Sequence, residues 1–189
     1  AILGVVREFD APGWLIPSIY FNYLRQRAPR DLIPVIEHNR HDIVSLARLA
    51  GIVSAHLAGL PIEAHPADRL AASLARVRQG HLDALPALLD GWQDPHVPAE
   101  LRLVALREAT TLLKRAGRVG EVTPALAQAL RDEHRPIRLY AAEELAKYYE
   151  HIRRDYLAAL EIAMKARDAA LLARDHRALS AFSRRIQRL

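Results

Sequence analysis

The chain has 189 residues, 51% of them apolar, which is enough to bury a substantial core and too apolar for a disordered segment. It contains no Cys, which excludes disulfides, thiolate metal sites and cysteine nucleophiles and fits a reducing, cytoplasmic compartment. The formal charge of +5 points to an anionic partner, although all but three of the 27 basic residues are Arg, a bias that GC-rich coding also produces.

No apolar run approaches the roughly 20 residues of a membrane span, and the N-terminus lacks the pattern of a signal peptide. The chain opens Ala1-Ile2-Leu3-Gly4-Val5-Val6 without Met, and such an apolar segment has nothing obvious to pack against at a bare terminus. The opening therefore reads as an interior piece of a longer protein. Asp10-Ala11-Pro12-Gly13 is a turn, because Pro fixes φ and Gly supplies a positive one. Ser18 is the expected N-cap of a short helix reaching about Arg27 and carrying Ile19, Tyr20, Tyr23 and Leu24. Ala28-Pro29-Arg30 ends it. Asp31 is then expected to cap a long helix to about Ala58, with Pro34 tolerated in its first turn and Gly59 and Pro61 closing it.

Residues 60–66 read as a linker between an N-terminal part, 1–59, and a C-terminal part, 67–189. The second part has a weak internal period. Arg78-Gln79-Gly80, Arg115-Ala116-Gly117 and His151-Ile152-Arg153 each end one helix and open a turn, 37 and 36 residues apart. A small residue precedes each turn (Ser73, Thr110, Ala146) and an aliphatic one follows it (Leu89, Leu126, Ile162). In the third unit, Leu145-Ala146, Tyr149, Ala158 and Ile162 resemble the tetratricopeptide pattern of paired helices. Pro86 and Pro124 read as interruptions in the first two. The fold class is all-α, and alternation of apolar and polar residues with period two is nearly missing. The aromatic residues stand at helical spacings, where packing accounts for them, and Trp14 and Trp92 read as plugs between helices.

The chemistry lies in the long helix, at Glu37-His38-Asn39-Arg40-His41-Asp42. His38 and Asp42 are one turn apart and share a face, with Asn39 at its border and Ile43 and Leu46 continuing a stripe that would pack the helix onto a body. A carboxylate can hold a hard cation such as Mg2+ or Mn2+, and a neighbouring His can orient or deprotonate a water bound to that cation. The same spacing also suits a plain structural hydrogen bond. Zinc fits poorly, since His38, His41 and Asp42 have no further ligand at a suitable spacing.

His38-Asn39-x-x-Asp42-x-x-x-Leu46 resembles the last motif of DEDD-type 3′–5′ exonucleases of the ribonuclease H-like superfamily. Leu3-Gly4-Val5 with Arg7, Asp10-x-Pro12-Gly13, Pro17-x-x-Tyr20 and Tyr23-Leu24 resemble the lead-in of a bacterial (YprB-type) subfamily, in which a nuclease-like domain precedes a tetratricopeptide-like tail. The resemblance covers residues 1–58 well and extends more loosely beyond them. It implies that 1–59 are the closing helices of a ribonuclease H-like domain and that 67–189 form a helical-repeat bundle. It also implies that Asp42 is the fourth metal-binding carboxylate and His38 the residue aligning the attacking water. The expected cofactor is Mg2+ or Mn2+, held in the complete protein and not tightly here. The first motif's Asp-x-Glu and the second motif's Asp have no counterpart, so the chain alone is not expected to cleave nucleic acid, whether DNA or RNA.

Arg25, Arg27 and Arg30, just before the long helix, are candidates for contact with a phosphate backbone, although solvated surface is the commoner fate of such residues. Two other functions fit the same composition: a helical-repeat adaptor binding a protein segment, and a basic nucleic-acid binder without catalysis. A closing helix without its body would expose an apolar face, which leads to the expectation of a homodimer.

Overall fold

Proline sets where most of these helices begin. A Pro at the first or second position loses no intrahelical hydrogen bond and arrives with φ already helical. The structure, a computed structural model, describes residues 12–60 and 63–189. In it α1 (Ile16–Gln26), α2 (Ile33–Leu57), α3 (Pro66–Arg78), α4 (Leu85–Gly91), α6 (Thr123–Ala129) and α7 (Arg135–Tyr148) all start on such a Pro. Pro86 and Pro124 therefore initiate α4 and α6, contrary to their expected role as interruptions. The remaining helices are α5 (Ala99–Arg115), α8 (Tyr156–Leu172) and α9 (His176–Arg188). No strand occurs among the described residues.

Two expected caps are corrected. Ser18 lies inside α1, which starts two residues earlier because Pro17 can occupy its first turn. Asp31 belongs to a 3-10 turn, Pro29–Leu32, and does not cap α2 with its side chain. The side-chain caps fall elsewhere. His65 Nδ1 accepts from Ala67 N at 3.2 Å, Asp155 from Ala158 N at 3.0 Å and Asp175 from Ala178 N at 2.9 Å, each satisfying a helix N–H that has no intrahelical partner.

The chain divides into two compact units, residues 1–63 and 64–189. In the first, α1 and α2 are joined through the 3-10 turn, and no described residue of 12–60 is buried. Ile36, Ile43 and Leu46 on α2 are 61%, 68% and 64% exposed, and Trp14, Tyr20 and Phe21 are also exposed. Among the described residues of this unit, the stripe expected to pack α2 onto a body meets none, and Trp14 is 76% exposed instead of plugging a gap. The physical reason is simple: the described residues of this unit form two helices and short turns, which supply no second layer, and an apolar helix face needs one.

The second unit holds the core. Its helices pack in succession, α3 on α4 and α5, α5 on α7, α6 on α7, then α7 on α8 and α8 on α9. Leu70, Leu88, Trp92, Leu106, Leu113, Leu126 and Ile137 are at most 2% exposed. Gly91 lets α4 approach α3 closely, since a Cβ there would stand 2.9 Å from Leu70 Cδ1. Alanines (Ala159, Ala163, Ala166, Ala170) form the buried side of α8.

The internal period is visible in the backbone. Gly80, Gly117 and Arg154 take left-handed conformations, at φ 94°, 69° and 54°. They stand 37 positions apart, from 80 to 117 and from 117 to 154. The third turn was expected one residue earlier, at Arg153. A π turn over Tyr149–Arg153 supplies the difference, because an i→i+5 turn accommodates one extra residue. Of the three small residues, Thr110 and Ala146 are buried and Ser73 is only partly so, while Leu89, Leu126 and Ile162 all pack into or against the core.

Candidate nuclease-like site

His38 and Asp42 lie on one side of α2, a helix of 25 residues, as the 3.6-residue turn dictates. His38 Nε2 stands 3.3 Å from Asp42 Oδ2. The His side chain is 17% exposed and the Asp side chain 42%, so the imidazole is sheltered while the carboxylate faces water. Such a pair can hold a proton between ring and carboxylate, or fix the ring while the carboxylate's other oxygen engages a cation. Next to it, Arg40 Nε donates to Glu37 Oε2 at 2.8 Å, and its Nη2 stands 2.9 Å from His41 Nε2. His41 Nδ1 is buried without a hydrogen-bond partner.

Asn39, the other residue of the motif, is exposed. Arg25 sits in the last turn of α1, Arg27 is its left-handed C-cap at φ 54°, and Arg30 belongs to the following 3-10 turn. All three are exposed, so they are available to a phosphate backbone. Leu3-Gly4-Val5, Arg7 and Asp10 of the expected lead-in, and Pro61 beyond α2, lie outside the described residues.

Residues 1–54 match the sequence profile of the RNase_H superfamily. Within the first unit, then, residues 1–54 are similar to the ribonuclease H-like superfamily. Over 173 residues, 90% of the chain, the sequence is 30% identical to a Bacillus subtilis (strain 168) protein named "Uncharacterized protein YprB". The chain spans 41% of that protein's length. No solved structure matches the chain.

The His38/Asp42 pair falls within the matched stretch. Divalent-metal chemistry needs several oxygen donors around the ion. Among the described residues no group of three or more His, Asp or Glu side chains could hold a metal ion, so the described part of the chain does not by itself fit one. No described helix is long and apolar enough to cross a membrane.

The sequence does not single out a second feature, a cleft between α7 and α8 rimmed by Arg135, Arg138 and Lys165. Its one visible signal is the alanine run of α8 at helical spacing, which reads equally well as ordinary core.

Proposed function

We propose that this chain carries the closing helical part of a metal-dependent 3′–5′ exonuclease-like domain acting on nucleic acid, followed by a helical-repeat tail of tetratricopeptide type that holds a partner. The observation that carries the reading is the sheltered His38 beside the exposed Asp42 on one face of α2, inside the stretch that matches the ribonuclease H superfamily.

In this reading Asp42 offers one oxygen ligand to Mg2+ or Mn2+, and the remaining carboxylates come from outside the described residues. The cation would neutralise charge on the scissile phosphate. His38 orients the attacking water and can accept its proton. Arg25, Arg27, Arg30 and Asn39 would line the path of the strand. The exposed apolar face of α2 supports the reading, since the closing helix of such a domain has a sheet to cover. A purely structural His38–Asp42 contact would leave that match and the exposure of the carboxylate without a use.

The test is made in a longer protein containing this chain. Asp42→Ala should abolish Mn2+-dependent release of nucleotides from 3′ ends while helix content stays constant. His38→Ala should lower the rate by about 10²–10⁴-fold, the usual contribution of a positioned acid–base group. Full activity in Asp42→Ala would remove Asp42 from the metal site. The 189-residue chain alone should not digest single strands, and processive digestion by it would overturn the assignment of the remaining carboxylates to other sequence.

A further inference from the structure

We infer that the cleft between α7 and α8 takes an acidic peptide segment carrying aliphatic side chains. This deepens the proposed partner-binding role of the tail and rests on it.

The cleft has a volume of about 330 Å³, within the range of pockets that hold ligands. Leu139, Ile162, Ala166 and Ala169 contribute its apolar surface. The alanines are the reason a cleft exists: a side chain that stops at Cβ leaves a trough where Leu or Met would fill the space. Arg138 and Lys165 stand at its rim, and no Asp or Glu lines it.

The two cations are differently prepared. Arg138 Nη1 donates to the carbonyls of Asp132 at 2.6 Å and Glu133 at 2.7 Å, which fixes the guanidinium in place. Among the described residues no carboxylate neutralises it, so its charge remains available. Lys165 Nζ donates to Glu161 at 2.5 Å, but both side chains are largely in water, at 75% and 65% exposure. Exposed pairs of this kind contribute little and exchange readily, so a ligand carboxylate can take the ammonium over. Arg135, also lining the cleft, is engaged by Asp175 and serves mainly to hold α9 against α7.

The lining contains no aromatic side chain, so it offers no face for base stacking. A single strand would gain only its phosphates. An aliphatic side chain in the trough with a carboxylate on Arg138 and another on Lys165 uses both the apolar surface and the charge.

The experiment is a fluorescence-anisotropy titration of the chain with a fluorescein-labelled hexapeptide of alternating Asp and Leu, against a peptide of alternating Lys and Leu. The acidic peptide should bind and the basic one should not. Lys165→Glu, at a solvent-exposed position, should weaken binding at least tenfold. Ala169→Trp should do the same by filling the trough, with thermal unfolding unchanged in Lys165→Glu and at most slightly shifted in Ala169→Trp. Undiminished affinity in both variants would move the ligand off the cleft while leaving the tail a partner-binding unit. Absence of binding to the acidic peptide, or its displacement by a poly-dT oligonucleotide, would overturn both.

Discussion

Lys114 on α5 donates to Glu144 on α7 across 30 residues of sequence, and Arg78 on α3 makes the same connection to Glu108 on α5 at 3.1 Å. Moving the earlier pair 36 positions along, from 78 to 114 and from 108 to 144, gives the later one. The base stands in the last turn of one helix and the acid within the helix that packs on it. The ion pairs therefore recur at 36 residues, one short of the 37 that separate the left-handed turn residues.

Glu144 gives this ladder a pH dependence. Burial pushes its carboxyl up, but hydrogen bonds from Lys114 and Lys147 outweigh that and hold it below the ordinary 4.5. A carboxyl lowered on folding stabilises the native state above its unfolded value, and the benefit disappears as pH falls below 4.5 and through the folded value. Urea unfolding midpoints should accordingly drop below pH 4.5, and Glu144→Gln should flatten that part of the profile. At pH 7 the same substitution should cost about 1–2 kcal/mol, less than for a fully buried pair because Lys114 is 40% exposed.

Glu150 anchors the last helix. Its side chain is 8% exposed and accepts from Arg185 and from Arg188, whose Nε lies at 3.1 Å. Glu150→Ala should destabilise the second unit by about 2–3 kcal/mol, since two guanidinium groups lose their carboxylate. Hydrogen exchange should quicken most across α9. Uniform exchange throughout the unit would show that Glu150 supports the core in general and not this docking.

Arg154 occupies, without a glycine's freedom, the turn position that Gly80 and Gly117 fill in the two preceding units. A left-handed φ of 54° brings its Cβ close to backbone, a cost that Gly avoids. Arg154→Gly should raise stability by about 0.5–1 kcal/mol, measured by thermal melting, once the added freedom of the unfolded glycine is subtracted. A fall in melting temperature would mean that the Arg side chain makes a compensating contact.

Gly91 works the other way. Any side chain there drives into Leu70, which is 1% exposed and cannot swing aside. Gly91→Val should lower stability by about 1–3 kcal/mol, the range for overpacked cores. Leu70→Ala in the same background should recover part of the loss.

On α2 the expectation is tolerance. Ile43 is already 68% exposed, so Ile43→Lys should change the stability of this chain by less than about 0.5 kcal/mol. Fluorescence of a dye that senses apolar surface should fall. A large loss of stability would show that the face is covered in solution.

Much of the fold is legible in the sequence because it depends on local chemistry. The spacing of Leu106, Ala109, Thr110 and Leu113 writes a helix directly, and Gly80 and Gly117 mark where the chain turns. The pairing of Asp42 with His38 follows from the helical turn alone. What the sequence hides is longer in range. Nothing local distinguishes the Arg78–Glu108 pair from solvated surface charge, and a π turn at Tyr149 leaves no compositional mark. The exposure of Ile36 and Ile43 escapes for another reason. A periodic apolar stripe says that a helix has a face to cover, and says nothing about what covers it. The cleft escapes because Ala166 and Ala169 act through the volume they leave empty.

The ladder has a direction. Each step runs from a cation near the end of one helix to an anion farther along the chain, so a unit's exposed end attracts its successor and not a copy of itself turned around. The stack is thus polar, like a row of bricks with studs on one side only. A spare unit bearing an acid at the Glu108 position and a base at the Lys114 position could be spliced in after α6, lengthening the array without redrawing either neighbour.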